Sequence, residues 1–298
     1  MKAINHRVGK SNLIGRMITR MNGAGNKILI LDLRLVDIVP TAHEIQSIQR
    51  GNRLAFDQMM VLFKPRLRGT KAFVRIYNND GSEAGACGNG TRCVAWFLVR
   101  EGAETTLRIE TVAGTLECQQ QGALSYRVDM GEPHFDWRSI PFRDRIEDTR
   151  QVDVNARAID ARLGAASLAN MGNPHAIFWV DDLSAFDLST IGALLEKLPV
   201  FPDKANVSLA KIEARDHISL RVWERGVGIT KACGSAACAA LVSGVRLGKT
   251  ERKALISLPG GDLTIEWRAG DSHVLMTGPV ELEAEIILDA SLFDKDDT

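Results

Sequence analysis

Two cysteines are placed where a thiol can do chemistry. Cys87 stands second in ACGNGTRC and Cys233 second in the matching ACGSAAC, each just before a glycine and an apolar run that closes on Gly102 or Gly248. A side chain at that position meets the unpaired N–H groups and positive dipole end of a helix, so both thiols are expected to be unusually acidic. The same N–H groups form an anion site, and Gly88, Gly90 and Gly234 let a carboxylate approach the backbone. A thiolate on one side of a carbon and a thiol on the other would remove a proton and return one to the opposite face, inverting the centre. An ordinary thiol pKa of about 8.5 suits a group that is base in one direction and acid in the other. The α-hydrogen of an amino acid is far less acidic than a thiol, so such a site must also stabilise carbanionic charge, through preorganised N–H donors in a dry cavity.

Cys93, Cys118 and Cys238 have no such placement and read as small buried hydrophobes. Metal binding is a poor rival. The spacings from Cys87 to Cys93 and from Cys233 to Cys238 are not those of C-x-x-C zinc pairs, and there are only six His. No P-loop is present, and Gly23-Ala24-Gly25 lacks the third glycine and flanking elements of a dinucleotide fingerprint, so neither a metal nor a cofactor is expected.

The elements that must position the two loops follow from periodicity. NKILILDLRLVDIV reads as a strand and TAHEIQSIQR, with Thr41 as cap and Glu44 three residues on, as a helix. KAFVRIYNND is a second strand, and TRCVAWFLVREG, apolar nearly all round, must be a buried helix. Short strands follow to Pro133 and Pro141, and the first domain boundary is placed near Glu132. The second half repeats the plan with AIFWVDDL, LSTIGALLEKL, NVSLAKI, HISLRVWERG, the second cysteine loop with its apolar helix, and further strands. One α/β unit written twice is the reading, each copy wrapping strands round one buried helix.

The 298 residues, 45% of them hydrophobic, suffice for about two domains. Lys plus Arg and Asp plus Glu are each 37, a zero net charge that argues against a chain built to coat nucleic acid or anionic lipid and for a small ligand. No apolar run reaches the roughly 18 residues of a membrane span, the N-terminus lacks a secretory apolar block, and five scattered Cys do not form a disulfide framework, so a cytoplasmic protein is expected. Residues 1–15, without sustained period, read as a flexible extension.

MNGAGN (Met21 to Asn26), FDQ, NNDGSE with ACGNGTRC, NMGNPH, the FP-x4-N stretch and WERGVGITKACGSAAC together resemble the diaminopimelate epimerase family, in order and spacing, from about Ile18 to the C-terminus. The resemblance implies a cofactor-independent, PLP-independent isomerase of two pseudo-symmetric halves, α/β or α+β, each a strongly curved mixed sheet round a central helix, with the active site in the cleft between them. It implies interconversion of L,L- and meso-diaminopimelate on the route to lysine and peptidoglycan, and a homodimer. The division it suggests is a domain of 16–132 completed by 279–298, and a second of 133–278. Carried over by position, Cys87 and Cys233 are acid and base, with His175 and Glu224 assisting proton handling. Arg225 holds a substrate carboxylate. Asn26, Gln58, Asn78, Asn173 and Asn206 bind the distal amino-acid centre, and Gly88, Asn89, Gly234 and Ser235 give donors to the reacting carboxylate. Three positions depart from the commoner pattern of the family: Lys27, Ile229 and Ala236.

Two other readings fit the paired thiols. A related cofactor-free racemase of proline or hydroxyproline would use the same chemistry, although proline has no second amino-acid end for the distal amides. A redox-responsive binding protein would close a Cys87–Cys233 disulfide and bind ligand without inverting it.

Overall fold

The computed structural model describes residues 11–51 and 53–293. The first half runs β1 (Met17–Gly23), β2 (Asn26–Asp32), α1 (Ala42–Arg50), β3 (Gln58–Phe63), β4 (Phe73–Asn78), β5 (Glu83–Ala84), α2 (Gly88–Arg100), β6 (Thr106–Thr111), β7 (Gly114–Gly122) and β8 (Ser125–Asp129). The second runs β9 (Ala166–Asn170), β10 (Pro174–Trp179), α3 (Leu188–Leu195), β11 (Asn206–Ala214), β12 (His217–Glu224), β13 (Gly228–Thr230), α4 (Gly234–Arg246), β14 (Lys253–Leu258), β15 (Gly261–Trp267) and β16 (Val274–Pro279), and β17 (Glu281–Ile287) ends the order.

The expected duplication is present strand for strand. In the first half β1 pairs antiparallel with β2, β2 parallel with β3, β3 antiparallel with β4, β4 parallel with β6, and β6, β7 and β8 form an antiparallel meander. The second half repeats every one of these relations from β9 to β16. The short strands β5 and β13 take the same place against β4 and β12. β8 and β16, the last strand of each half, pair with each other antiparallel and join the two sheets, while β17 returns to pair with β1.

Each sheet wraps its own helix, as a helix apolar nearly all round requires. The two helices share one core: Cys93, Val94 and Leu98 of α2 and Ala236 to Val242 of α4 are buried in the same cluster. α1 has the capping box expected at Thr41, whose hydroxyl accepts from Glu44 N at 3.2 Å while its own N–H donates to Glu44 Oε2 at 2.8 Å.

The extension expected over residues 1–15 needs correcting where it can be seen; residues 1–10 lie outside the described residues. Leu13 is fully buried with Ile18, Leu29 and Ile45, Ser11 Oγ donates to Glu44 Oε1 at 2.5 Å, and Gly15 N donates to Leu288 O at 2.8 Å. A single leucine anchored by tertiary contacts leaves no period in the sequence, so this stretch carries no local sign of its order.

One backbone contact sets the two halves against each other near the cysteine loops. Gly25, at φ +85°, lies so close to Gly260 that a Cβ on it would be 2.5 Å from Gly260 Cα. Gly260 N in turn donates to Lys231 O at 2.8 Å, two residues before Cys233. Asn26 at the start of β2 is thereby held beside the second cysteine loop.

Candidate active site

Cys87 and Cys233 are the N-cap residues of α2 and α4, with extended backbone at φ −151° and −133°. Cys87 Sγ accepts from Gly90 N at 3.1 Å, the bond that an N-cap side chain is expected to make. Cys233 Sγ makes no such cap bond and instead lies 3.5 Å from Ser235 Oγ. The two loops meet on one side chain. A Cβ on Gly88 would be 2.4 Å from Met276 Cε and one on Gly234 would be 2.6 Å from Met276 Sδ, so Met276 of β16 fills the space between the two helix N-termini.

The expected acidity of these thiols is corrected by the structure. Both are buried, Cys87 at 9% and Cys233 at 6% exposure, and the loss of hydration outweighs the helix end. Burial pushes Cys87 up to about 11, against the opposing Gly90 N–H and Arg92 charge, and the Glu224 carboxylate raises it further. Burial raises Cys233 well above the ordinary thiol value, again with Glu224 adding to the rise. One carboxylate therefore acts on both sulfurs. Glu224, at the end of β12, is itself raised by burial, against its bonds to Thr230 and to the Cys233 thiol, and it accepts from Thr230 Oγ1 at 2.5 Å.

His175 is fully buried on β10, and burial together with the Arg225 charge lowers it to about 3, so it is a neutral imidazole. With Nε2–H donating to Asn173 Oδ1 at 2.8 Å, Nδ1 is a bare acceptor, and it has no partner among the described residues. This burial has a thermodynamic signature. The unfolded chain binds a proton at His175 below its ordinary value of 6.5 while the folded chain does not until about 3, so this group removes stability as pH falls through that window. The expected loss is up to about 1.4 kcal/mol per pH unit. Urea denaturation of the wild type and of His175→Gln at several pH values checks this: the difference between the two should steepen below neutrality, and parallel curves would contradict it.

The remaining residues differ in how far the protein itself uses their polar groups. Asn206 is buried and its amide is used by the protein: Nδ2 donates to Pro174 O at 2.8 Å and Oδ1 accepts from Arg225 N at 2.9 Å. It therefore places Arg225, whose exposed guanidinium donates to Asp203 O at 3.1 Å. Gln58 and Asn78 face each other across β3 and β4, with Gln58 Nε2 donating to Asn78 Oδ1 at 3.4 Å. Asn26 Oδ1 is buried without a partner among the described residues. Asn89 is 3% exposed and its Oδ1 lies 3.6 Å from where a Cβ on Gly234 would be, so this side chain reaches from one loop to the other. Cys93, Cys118 and Cys238 are fully buried core residues.

The departures differ in setting. Ala236 is buried in the first turn of α4, where its N–H favours the Cys233 thiolate, whereas Lys27 and Ile229 are exposed. Among the described residues no three His, Cys, Asp or Glu gather as a metal site would require. A cavity of about 950 Å3 against Arg34, Arg66 and Phe73 contains none of the predicted residues. Met276 and Arg92 also belong to the site, although neither was expected there. Met276 sits in an ordinary apolar strand and gives no signal, but Arg92 is a charge on an otherwise apolar helix, and that mismatch is visible in the sequence.

The sequence profile of the diaminopimelate epimerase family matches residues 18–135 and 167–283. A protein of Afipia carboxidovorans named diaminopimelate epimerase is 52% identical over 283 residues, covering 94% of this chain and 98% of its own. One of Rhodopseudomonas palustris with the same name is 51% identical over 284 residues, 95% of this chain and 98% of its own. Among solved structures, a phenazine biosynthesis protein of the PhzF family from Bacillus anthracis superposes with a TM-score of 0.67 at 14% identity, covering 91% of this chain and 98% of that one. A probable proline racemase from Agrobacterium radiobacter K84 does so at 0.65 and 15%, covering 94% of both chains. At such identities the structural likeness speaks for the fold alone.

Proposed function

This chain belongs to the diaminopimelate epimerase family, and from that premise we propose that Cys87 and Cys233 invert one α-carbon of diaminopimelate between them. The chain is an isomerase, and its family interconverts L,L- and meso-diaminopimelate in lysine biosynthesis without a cofactor. The assignment of the two thiols is supported chiefly by the carboxylate of Glu224, which acts on both sulfurs, and by the packing of both cysteine loops on Met276.

In the resting site both thiols hold their protons because both are buried. Glu224 is the group that accepts one, since its own carboxyl is raised and it lies against Cys233. The thiolate takes the α-proton as the C–H bond breaks and an S–H bond forms. Charge left on carbon spreads into the substrate carboxylate, which the N–H groups of Gly88, Asn89, Gly234 and Ser235 receive at the two helix ends. The other thiol then gives its proton to the opposite face, and the centre is inverted. His175 supplies a neutral acceptor in the same half as Cys233, and Arg225 holds the distal carboxylate with Asn26, Gln58, Asn78 and Asn173 around the distal ammonium and carboxylate. Thiols this deeply buried require the two halves to part before substrate reaches them.

We assign the halves to 16–132 with 279–298 and to 133–278; the return of β17 to β1 supports that division. A homodimer in the cytoplasm completes the reading, with five unpaired cysteines suited to a reducing compartment. Among the described residues no helix is long and apolar enough to cross a membrane. Incubation of purified protein with L,L-diaminopimelate in deuterium oxide, with no cofactor and with reductant present, should place deuterium on the inverted α-carbon. Inverted product without label would contradict a solvent-exchanging thiol pair, and turnover of proline in its place would favour the racemase reading.

A further inference from the structure

Arg92, on α2 five residues after Cys87, is fully buried and heads the large side chains with no exposed surface. Burying a cation is unfavourable unless it is paired, yet among the described residues Arg92 forms no ion pair with a carboxylate. A side chain kept only for packing has no need of that charge. Its guanidinium donates from Nη2 to Asn89 Oδ1 at 3.0 Å and from Nη1 to Met276 Sδ at 3.4 Å, and Nε has no acceptor among the described residues. Gly278 makes room for it, since a Cβ there would lie 3.0 Å from Arg92 Cζ.

Both partners of this guanidinium bridge the two cysteine loops. Met276 fills the gap between Gly88 and Gly234, and Asn89 reaches towards Gly234. The oxygen that Arg92 holds is the same Asn89 atom that lies 3.6 Å from where a Cβ on Gly234 would be, so the guanidinium fixes the side chain that spans the two loops. We propose that Arg92 is a positioning residue for the inversion: it holds the Asn89 side chain across to the Gly234 loop, seats Met276 between the loops, and lends its buried charge to the negative charge that develops there. The proposal rests on the two-thiol reading above.

The test is kcat/KM for diaminopimelate inversion in Arg92→Met, Arg92→Lys, Asn89→Ala and the double variant Arg92→Lys/Asn89→Ala. The pH midpoint of Cys87 alkylation by iodoacetamide is followed alongside, in a Cys233→Ala background. Arg92→Met should lower kcat/KM about a hundredfold and move the alkylation midpoint to higher pH. Arg92→Lys should keep that midpoint, because it keeps the charge, yet lose at least about tenfold in kcat/KM for want of the planar fork. In the double variant the lysine should add little to the loss already caused by Asn89→Ala. Arg92→Lys at wild-type kcat/KM, additive losses in the double variant, or an active-site loss in Arg92→Met with an unmoved midpoint would each overturn the proposal. If Arg92→Met fails to fold, the lysine variants decide. A wild-type protein that inverts nothing in the same assay would overturn the two-thiol reading instead.

Discussion

Alanine at Cys233 is expected to abolish inversion of diaminopimelate, and alanine at Cys87 to do the same. Either change leaves one face of the α-carbon without a proton donor or acceptor, and a positioned acid or base is worth about 10²- to 10⁴-fold in rate. Losing one of two obligatory partners should reach the upper end of that range, because water cannot replace a thiol in a site from which both sulfurs are buried. The changes remove only a sulfur from an N-cap, so the proteins should fold, as circular dichroism and thermal denaturation would verify. Chiral chromatography of the stereoisomers gives the result directly. Retained epimerisation in Cys233→Ala would end the two-base scheme.

The second large effect is expected at Glu224. In Glu224→Gln the shape of the side chain and its bond to Thr230 can persist, but an amide cannot take the proton that Cys233 must lose. Burial alone then holds the thiol above its ordinary value. We expect kcat/KM to fall about 10²- to 10³-fold near neutrality. The direction with pH follows from the same shifts. In the wild type activity falls on the acid side, where Glu224 is already protonated and cannot receive a proton. In the variant the rate is set by ionisation of the thiol itself, so it should go on rising with pH where the wild type has levelled off. A pH profile of kcat/KM from about pH 6 to about pH 10 separates the two. A variant with the wild-type profile would remove Glu224 from the proton path.

The duplicated plan gives the asymmetry of the site a structural meaning. Register pairs Gln58 with Asn78 at the ends of β3 and β4, and the equivalent ends of β11 and β12 carry Asn206 and Glu224. His175 pairs with Asn206 as Ile28 pairs with Gln58. One half thus has amides and an isoleucine where the other has an amide, a carboxylate and an imidazole. Neutral donors and acceptors suit a dipolar group that is only held, and titratable ones suit a group that loses a proton.

Much of this was legible from residue types and their spacing. The capping box at Thr41, the cap positions of Cys87 and Cys233, the two apolar helices and the repeat are local properties, set by hydrogen bonds and periodicity within a few residues of chain. The strand β9, the anchoring of Leu13, and the roles of Met276 and Arg92 were not, because each depends on partners far away in sequence.

What the chain determined unaided is therefore the inventory and its local placement: two thiols at two helix starts, glycines beside them, and a zero net charge that suits a small ligand. Only the tertiary structure decided their ionisation. A helix end stabilises a thiolate through a few nearby N–H groups, whereas desolvation sums over every group that excludes water, and those groups come from both halves of the chain. The same burial turns His175 into a neutral acceptor, raises Glu224 towards the range where it can trade a proton, and leaves Arg92 as a cation among sulfurs.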